Sequence, residues 1–154
     1  DWDINIIGSD ISQRVLHVAR EGIYKKNSFR ATSRHFIKNY FHEQQNGDQK
    51  ISDKVKELVN FNYLNLLDPF KIRLLGEMDV IFCRNVLIYF GQTARKKVIE
   101  NFFETLSEGG YLLLGHTESL INISTSFMLK HLKHDMVYQK PERPLNKSIL
   151  EKGN

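Results

Sequence analysis

One cysteine and three prolines stand in 154 residues. A lone cysteine makes no internal disulfide, which excludes a small disulfide-stapled scaffold and points to a reducing, aqueous compartment, with a cytoplasmic location expected. Long hydrophobic runs are also lacking. The longest uninterrupted apolar stretch, Val86 to Phe90, falls far short of the ~18 residues a membrane span needs, so no direct membrane insertion is expected. Charge of one sign is not in large excess: 22 Lys and Arg against 18 Asp and Glu leave a net +4, too little to mark a nucleic-acid binder, and none is expected. What is present is an ordinary globular composition, 41% hydrophobic and 11% aromatic. A folded chain of this length buries roughly 70% of the surface its unfolded form exposes, enough for a core without metals.

Ile4 to Asp10 has the β-branched character of a buried strand and ends in a small, acidic turn. A helix follows, with Ser12 as its cap, Val15, Leu16 and Ala19 on one face, and Gly22 as its stop. Almost forty residues without clean alternation then separate Gly22 from Phe61, too many for a plain loop, so an inserted subdomain is expected. Asn46-Gly47 is its landmark: as two positive-φ residues they would pair Tyr40 to Gln45 with Gln49 to Val55, although Lys54 to Val59 also suits a helix. From Val59 the pattern is regular, with strands at Val59 to Leu66, Asp79 to Arg84 and Tyr111 to Gly115, and helices at Pro69 to Leu75 and Thr93 to Leu106. Gly109-Gly110 is expected to close the last helix. Phe127 to Leu132 and Met136 to Gln139 read as an antiparallel hairpin, and Pro141 to Asn154 as a polar tail. Strands alternating with helices imply an α/β sheet wound on both faces, with its ligand site at the carboxyl ends of the strands.

Four places there carry polar chemistry. Asp10, between strand and helix, suits the two hydroxyls of a ribose, but taken alone a turn or helix-start residue is the favoured reading. Asn65 before Leu66 offers an adenine edge a hydrogen bond and a packing surface, or is simply a turn Asn before a core leucine. In Phe82-Cys83-Arg84-Asn85-Val86-Leu87-Ile88-Tyr89-Phe90, Arg and Asn interrupt an apolar run where a strand should emerge. A buried guanidinium needs a partner, so Arg84 either faces water or holds an anion, with Tyr89 a polar handle nearby. His116 and Glu118 follow the last strand; acid/base work is one reading, and fixing a loop by hydrogen bonds is the favoured one. His17, His35, His42, His131 and His134 form no metal-ligand spacing with Cys83. Arg20, Lys25, Lys26, Arg30, Arg34 and Lys38 make a basic stretch with Glu21 its only acid, either a solvated face or a docking surface for an acidic partner.

Taken together, Gly8-Ser9-Asp10-Ile11, Arg20-Glu21-Gly22-Ile23-Tyr24, Asn65-Leu66-Leu67, Phe82 to Phe90 and Gly109 to Leu120 resemble the CheR family of chemotaxis receptor methyltransferases. The resemblance implies a protein-glutamate O-methyltransferase that moves a methyl group from S-adenosylmethionine to glutamates on the cytoplasmic helices of chemoreceptors, releasing S-adenosylhomocysteine. It implies a Rossmann-like methyltransferase sheet with a small inserted antiparallel β subdomain at about 38–62, all within a catalytic domain spanning about 1–140. By motif, Asp10 would hold the ribose, Asn65 and Leu66 the adenine, and Cys83, Arg84 and Asn85 the methionine portion. Arg84 and Tyr89 would face the methyl group and the incoming glutamate. Some relatives dock on a receptor tail through a longer, glycine-rich hairpin, whereas this hairpin has only Gly47.

The family also begins its sheet with a central strand and a glycine-containing loop, preceded by a helical domain. Here the chain opens at Asp1-Trp2-Asp3 and no two glycines lie two apart. A fragment, inactive by itself, is therefore expected, with a split sheet and unpaired edges that a second chain would cover. The competing readings are a catalytically inactive receptor-docking scaffold and an unrelated nucleotide-dependent enzyme.

Overall fold

The computed structural model describes residues 4–133 and 135–142. They fall into two compact units that divide between Asn65 and Leu66.

In the first unit, β1 (Ile6–Asp10) pairs in parallel with β5 (Val59–Tyr63), from Ile6 opposite Val59 to Asp10 opposite Tyr63. Parallel neighbours need a long crossover. It begins with α1 (Gln13–Glu21), which starts where Ser12 Oγ accepts the Val15 amide and stops at Gly22, whose φ of 69° lets its amide reach the Val18 carbonyl. Leu16 is the buried anchor of this helix, and Arg20 on the same helix donates to the Phe61 carbonyl at 2.8 Å. The insertion then forms an antiparallel sheet of β2 (Ile23–Tyr24), β3 (Phe41–Glu43) and β4 (Gln49–Ile51), in the order β2-β4-β3. A 3-10 turn at Lys26–Phe29 and α2 (Arg34–Tyr40) lie between β2 and β3, and α3 (Asp53–Lys56) leads to β5. Tyr24, Phe29 and Phe41 meet edge to face, the last two with ring centroids 4.9 Å apart.

Two expectations change here. The antiparallel sheet runs from Ile23 to Ile51, not over 38–62, because β5 pairs with β1 and belongs to the parallel sheet. Within the hairpin only Gly47 takes a positive φ, 78°. Asn46 acts through its side chain instead: its Oδ1 accepts the Asp48 amide and its Nδ2 donates to the Asp48 carboxylate, which also receives Lys25 Nζ at 2.7 Å.

The second unit holds α4 (Pro69–Arg73), capped by the Asp68 carboxylate, then β6 (Met78–Cys83), a 3-10 turn at Leu87–Tyr89, and α5 (Gln92–Thr105). After them come β7 (Leu106–Leu114), β8 (Met128–His131) and β9 (Met136–Gln139), in a sheet ordered β6-β7-β9-β8. Only β6 and β7 are parallel, joined through α5; β7 with β9 and β9 with β8 are antiparallel. Val98, Ile99 and Phe102 on α5 pack with Cys83, Leu87, Leu106, Leu112 and Leu120 into one core. Burying each large side chain there contributes about 1.5–3 kcal/mol.

Gly109-Gly110 does not close α5. The helix ends at Thr105, and the glycines lie inside β7, in a bulge where the stretch from Leu106 to Tyr111 faces only Met78 to Val80 of β6. Fully buried Leu106 starts the strand because its side chain completes the core. Among the described residues, β1 pairs only with β5 and β6 only with β7, so each parallel pair leaves an open edge. Of the polar tail, residues 143–154 lie outside the described residues, as does His134.

Candidate functional site

Strand ends position Asp10, Asn65, Cys83 and Arg84. In the first unit, Asp10 closes β1 and Asn65 follows β5, so both stand at the carboxyl edge of one parallel pair. The Leu64 amide donates to the Asp10 carbonyl at 3.1 Å and ties the two strand ends together. Asp10 Oδ1 accepts the Ser12 amide at 2.7 Å, which fixes the carboxylate at the entry to α1. A carboxylate has about four acceptor sites, so this bond leaves capacity for two vicinal hydroxyls. Both Asp10 and Asn65 are half-buried.

In the second unit, Cys83 is opposite Leu114 in the last register of β6 and β7, and the chain leaves both strands at the same edge. Arg84 and Asn85 are exposed there. Asn85 is left-handed, with φ 59°, and Val86 returns to the right-handed region at φ −116° and ψ −45°. A left-handed residue followed by a right-handed one turns successive amides to one side, a concavity that binds anions. Glu118 fills it. Its Oε1 accepts the amides of Val86 and Leu87 at 3.0 and 2.8 Å, and its Oε2 those of Asn85 and Gly115 at 2.7 and 2.8 Å. Burial pushes the Glu118 pKa up, but the four amides together outweigh it and hold the carboxyl below its ordinary 4.5.

The turn is held from the helix side as well. Arg95 Nε donates to the carbonyls of Leu87 and Phe90 at 2.8 and 2.9 Å, and Leu87 plugs the core with 2% exposure. Tyr89 is 82% exposed on this rigid support. Arg84 and Tyr89 are therefore presented on one short, anchored segment.

The remaining candidates are placed differently. The Cys83 side chain points into the core, and burial, with the Glu118 charge second, pushes its thiol up to about 12. Only its backbone reaches the edge. Leu66 packs partly on the core of the second unit, and its carbonyl accepts Asn101 Nδ2 at 3.0 Å. In the basic stretch, Arg20 and Lys25 have structural partners, whereas Lys26, Arg30, Arg34 and Lys38 are exposed. Sequence reasoning missed Arg95 and Asn101, which the helical pattern shows only as polar positions on α5. Among the described residues no helix is long and apolar enough to cross a membrane.

Comparison with known proteins gives the family of the chain. The family described as "CheR methyltransferase, SAM binding domain" matches residues 1–136. The protein named chemotaxis protein methyltransferase 2 from Vibrio cholerae is 38% identical over 141 residues, covering 92% of this chain and 49% of that protein. A chemotaxis protein methyltransferase from Vibrio parahaemolyticus is 37% identical over 137 residues, with 88% and 49% covered. The probable chemotaxis protein methyltransferase of Rhizobium etli is 40% identical over 123 residues, with 77% and 44% covered. The chain spans about half the length of these curated relatives.

Proposed function

This chain belongs to the CheR methyltransferase family, and we propose on that basis that it serves S-adenosylmethionine-dependent methylation of glutamate side chains on the cytoplasmic helices of chemoreceptors. The observation that carries the reading is the anchored 84–89 turn at the carboxyl edge of β6, with Arg84 and Tyr89 exposed on it. The cofactor supplies a methyl group on a positively charged sulfur. Asp10 would accept its ribose hydroxyls, Asn65 and Leu66 would contact its adenine, and the backbone of Cys83 with Arg84 and Asn85 would receive its methionine portion.

A glutamate side chain is ionised near neutral pH, so it needs no general base to attack. It needs orientation and exclusion of water. The Arg84 guanidinium holds the incoming carboxylate by two parallel N–H bonds, and the Tyr89 ring and hydroxyl wall the other side. Lys26, Arg30, Arg34 and Lys38 offer acidic receptor surface a complementary charge. The site of action is cytoplasmic. The chain spans about half the length of its curated relatives, and in this reading activity is a property of the full-length protein.

The test is labelled methyl incorporation into a chemoreceptor cytoplasmic domain by the full-length protein. Incorporation that Arg84→Ala abolishes, with S-adenosylhomocysteine still bound in calorimetry, supports the reading. Cofactor binding without any incorporation turns it to a receptor-docking scaffold.

A further inference from the structure

Glu118 invites an acid/base role by its place beside the turn, yet its geometry forbids one. A carboxylate offers about four acceptor sites, and four backbone amides occupy them, two on each oxygen at 2.7–3.0 Å. Such a group neither takes nor gives a proton without breaking its own support. What it does control is the conformation of the chain beside it. Three of the four amides belong to Asn85, Val86 and Leu87, immediately after Arg84 and just before Tyr89. The left-handed backbone of Asn85 is one that asparagine adopts more readily than other residues with a side chain, and an anion in the concavity favours it further.

The fourth amide locks the arrangement from the other strand. Gly115 begins the loop after β7 and donates to Glu118 Oε2. A Cβ at Gly115 would stand 2.7 Å from that oxygen, closer than real contacts allow, and a tight 3.1 Å from the Asn85 nitrogen. The carboxylate, the glycine and the turn thus form one interlocked unit, with Arg84 exposed as the residue directly before it in the chain.

We propose that Glu118 is a positioning residue for methyl transfer: by holding the amides of residues 85–87 it sets the direction in which Arg84 presents its guanidinium to the substrate carboxylate. The inference rests on the reading of Arg84 given above. It predicts coupling between two residues whose side chains need never touch. Energetic coupling of this kind is what a double-mutant cycle isolates.

The experiment uses the full-length protein, with methyl incorporation into a receptor cytoplasmic domain as the readout. Four forms are compared: wild type, Glu118→Gln, Arg84→Lys, and the double variant. Glutamine keeps the size of the side chain but replaces one double acceptor by a donor, so one pair of amides loses its partner. Misplacement of a reacting group by about 1 Å costs up to about 100-fold in rate. The expected result is a fall in kcat of between about 10-fold and 100-fold for Glu118→Gln in the wild-type background. Against Arg84→Lys, whose cation has already lost the fork that needs aiming, the same change should cost less than about 3-fold. Gly115→Ala, which disturbs the same clamp from the backbone side, should couple to Arg84→Lys in the same way. An equal loss in both backgrounds would mark Glu118 as merely structural and overturn the proposal, as would an unchanged kcat. Absence of incorporation by the wild type would instead overturn the methyltransferase reading, and this role with it.

Discussion

Asn101, on the buried face of α5, donates from Nδ2 to the Leu66 carbonyl at 3.0 Å and is only 6% exposed. Its own carbonyl accepts Thr105 Oγ1 at 2.9 Å. A polar side chain inside an apolar stripe persists when it satisfies a backbone group that water does not reach. Here it moors the start of the second unit to the helix. Asn101→Ala should therefore cost about 1–3 kcal/mol, the penalty for leaving a shielded carbonyl unpaired. Urea denaturation measures it, and a loss below about 0.5 kcal/mol would mean that water takes over the bond.

The bulge in β7 makes a second, contrasting pair. A Cβ on Gly110 would lie 2.8 Å from the Ser107 carbonyl oxygen and 3.0 Å from that of Asp79, and both are backbone atoms that cannot swing aside. Gly91, which precedes α5, has nothing within 4 Å of the same position and an ordinary φ of −67°. Gly110→Ala should destabilise by more than about 1 kcal/mol through forced backbone shifts. Gly91→Ala should stay within about 1 kcal/mol of wild type, because a less flexible unfolded chain offsets a poorer helix cap. Thermal melts of the two variants decide it, and equal losses would refute the bulge geometry.

The same glycines show what was and was not legible in the sequence. Ser12 and Gly22 announced both ends of α1 because caps act within one turn of chain. Gly109-Gly110 looked like another helix stop, since the pair has the same local signature whether it ends a helix or bends a strand. Only the burial of Leu106 against the core, a long-range fact, decides between them. Asn46 likewise carried the right residue type for a positive φ but works through its side chain. β2 is two residues long, too short to leave an alternation, which is why the insertion looked as if it began later. The Arg84 to Phe90 run stood out by composition, whereas the Glu118 contacts with residues 85–87 lie more than thirty positions away in sequence. Backbone amides carry no residue-type signal, so that clamp was visible only as one of two readings of an acidic loop residue.

Glu118 also sets a pH dependence whose sign follows from its four amides. Its pKa in the folded chain lies below the ordinary 4.5, so the native state prefers the ionised form. The stability this contributes is fully present above the unfolded pKa and is lost as pH falls through the lowered folded value. Glu118→Gln lacks the titrating group. The urea midpoints of wild type and Glu118→Gln should therefore be furthest apart near neutral pH and converge as the solution is acidified below about pH 4. A gap that stays constant across that range would mean that the ionised form is not what the amides hold.

Cys83 tests the core beneath the turn. It is 4% exposed, and burial first and the Glu118 charge second push its thiol up to about 12. Only the thiolate reacts with an aromatic disulfide, and at about pH 8 an unfolded cysteine near 8.5 holds roughly a thousandfold more thiolate than one near 12. Native labelling should therefore be on the order of 100-fold slower or more than labelling in urea, and limited by opening of the structure. Removing the nearby charge in Glu118→Gln should lower the thiol pKa, but also loosen the turn above it, so both effects act towards faster labelling. Asp10 provides the control, since Asp10→Asn alters the other unit and should leave the rate unchanged. A native rate equal to that in urea would place the thiol at the surface, and the segment bearing Arg84 would then lack the packed strand end that makes it rigid.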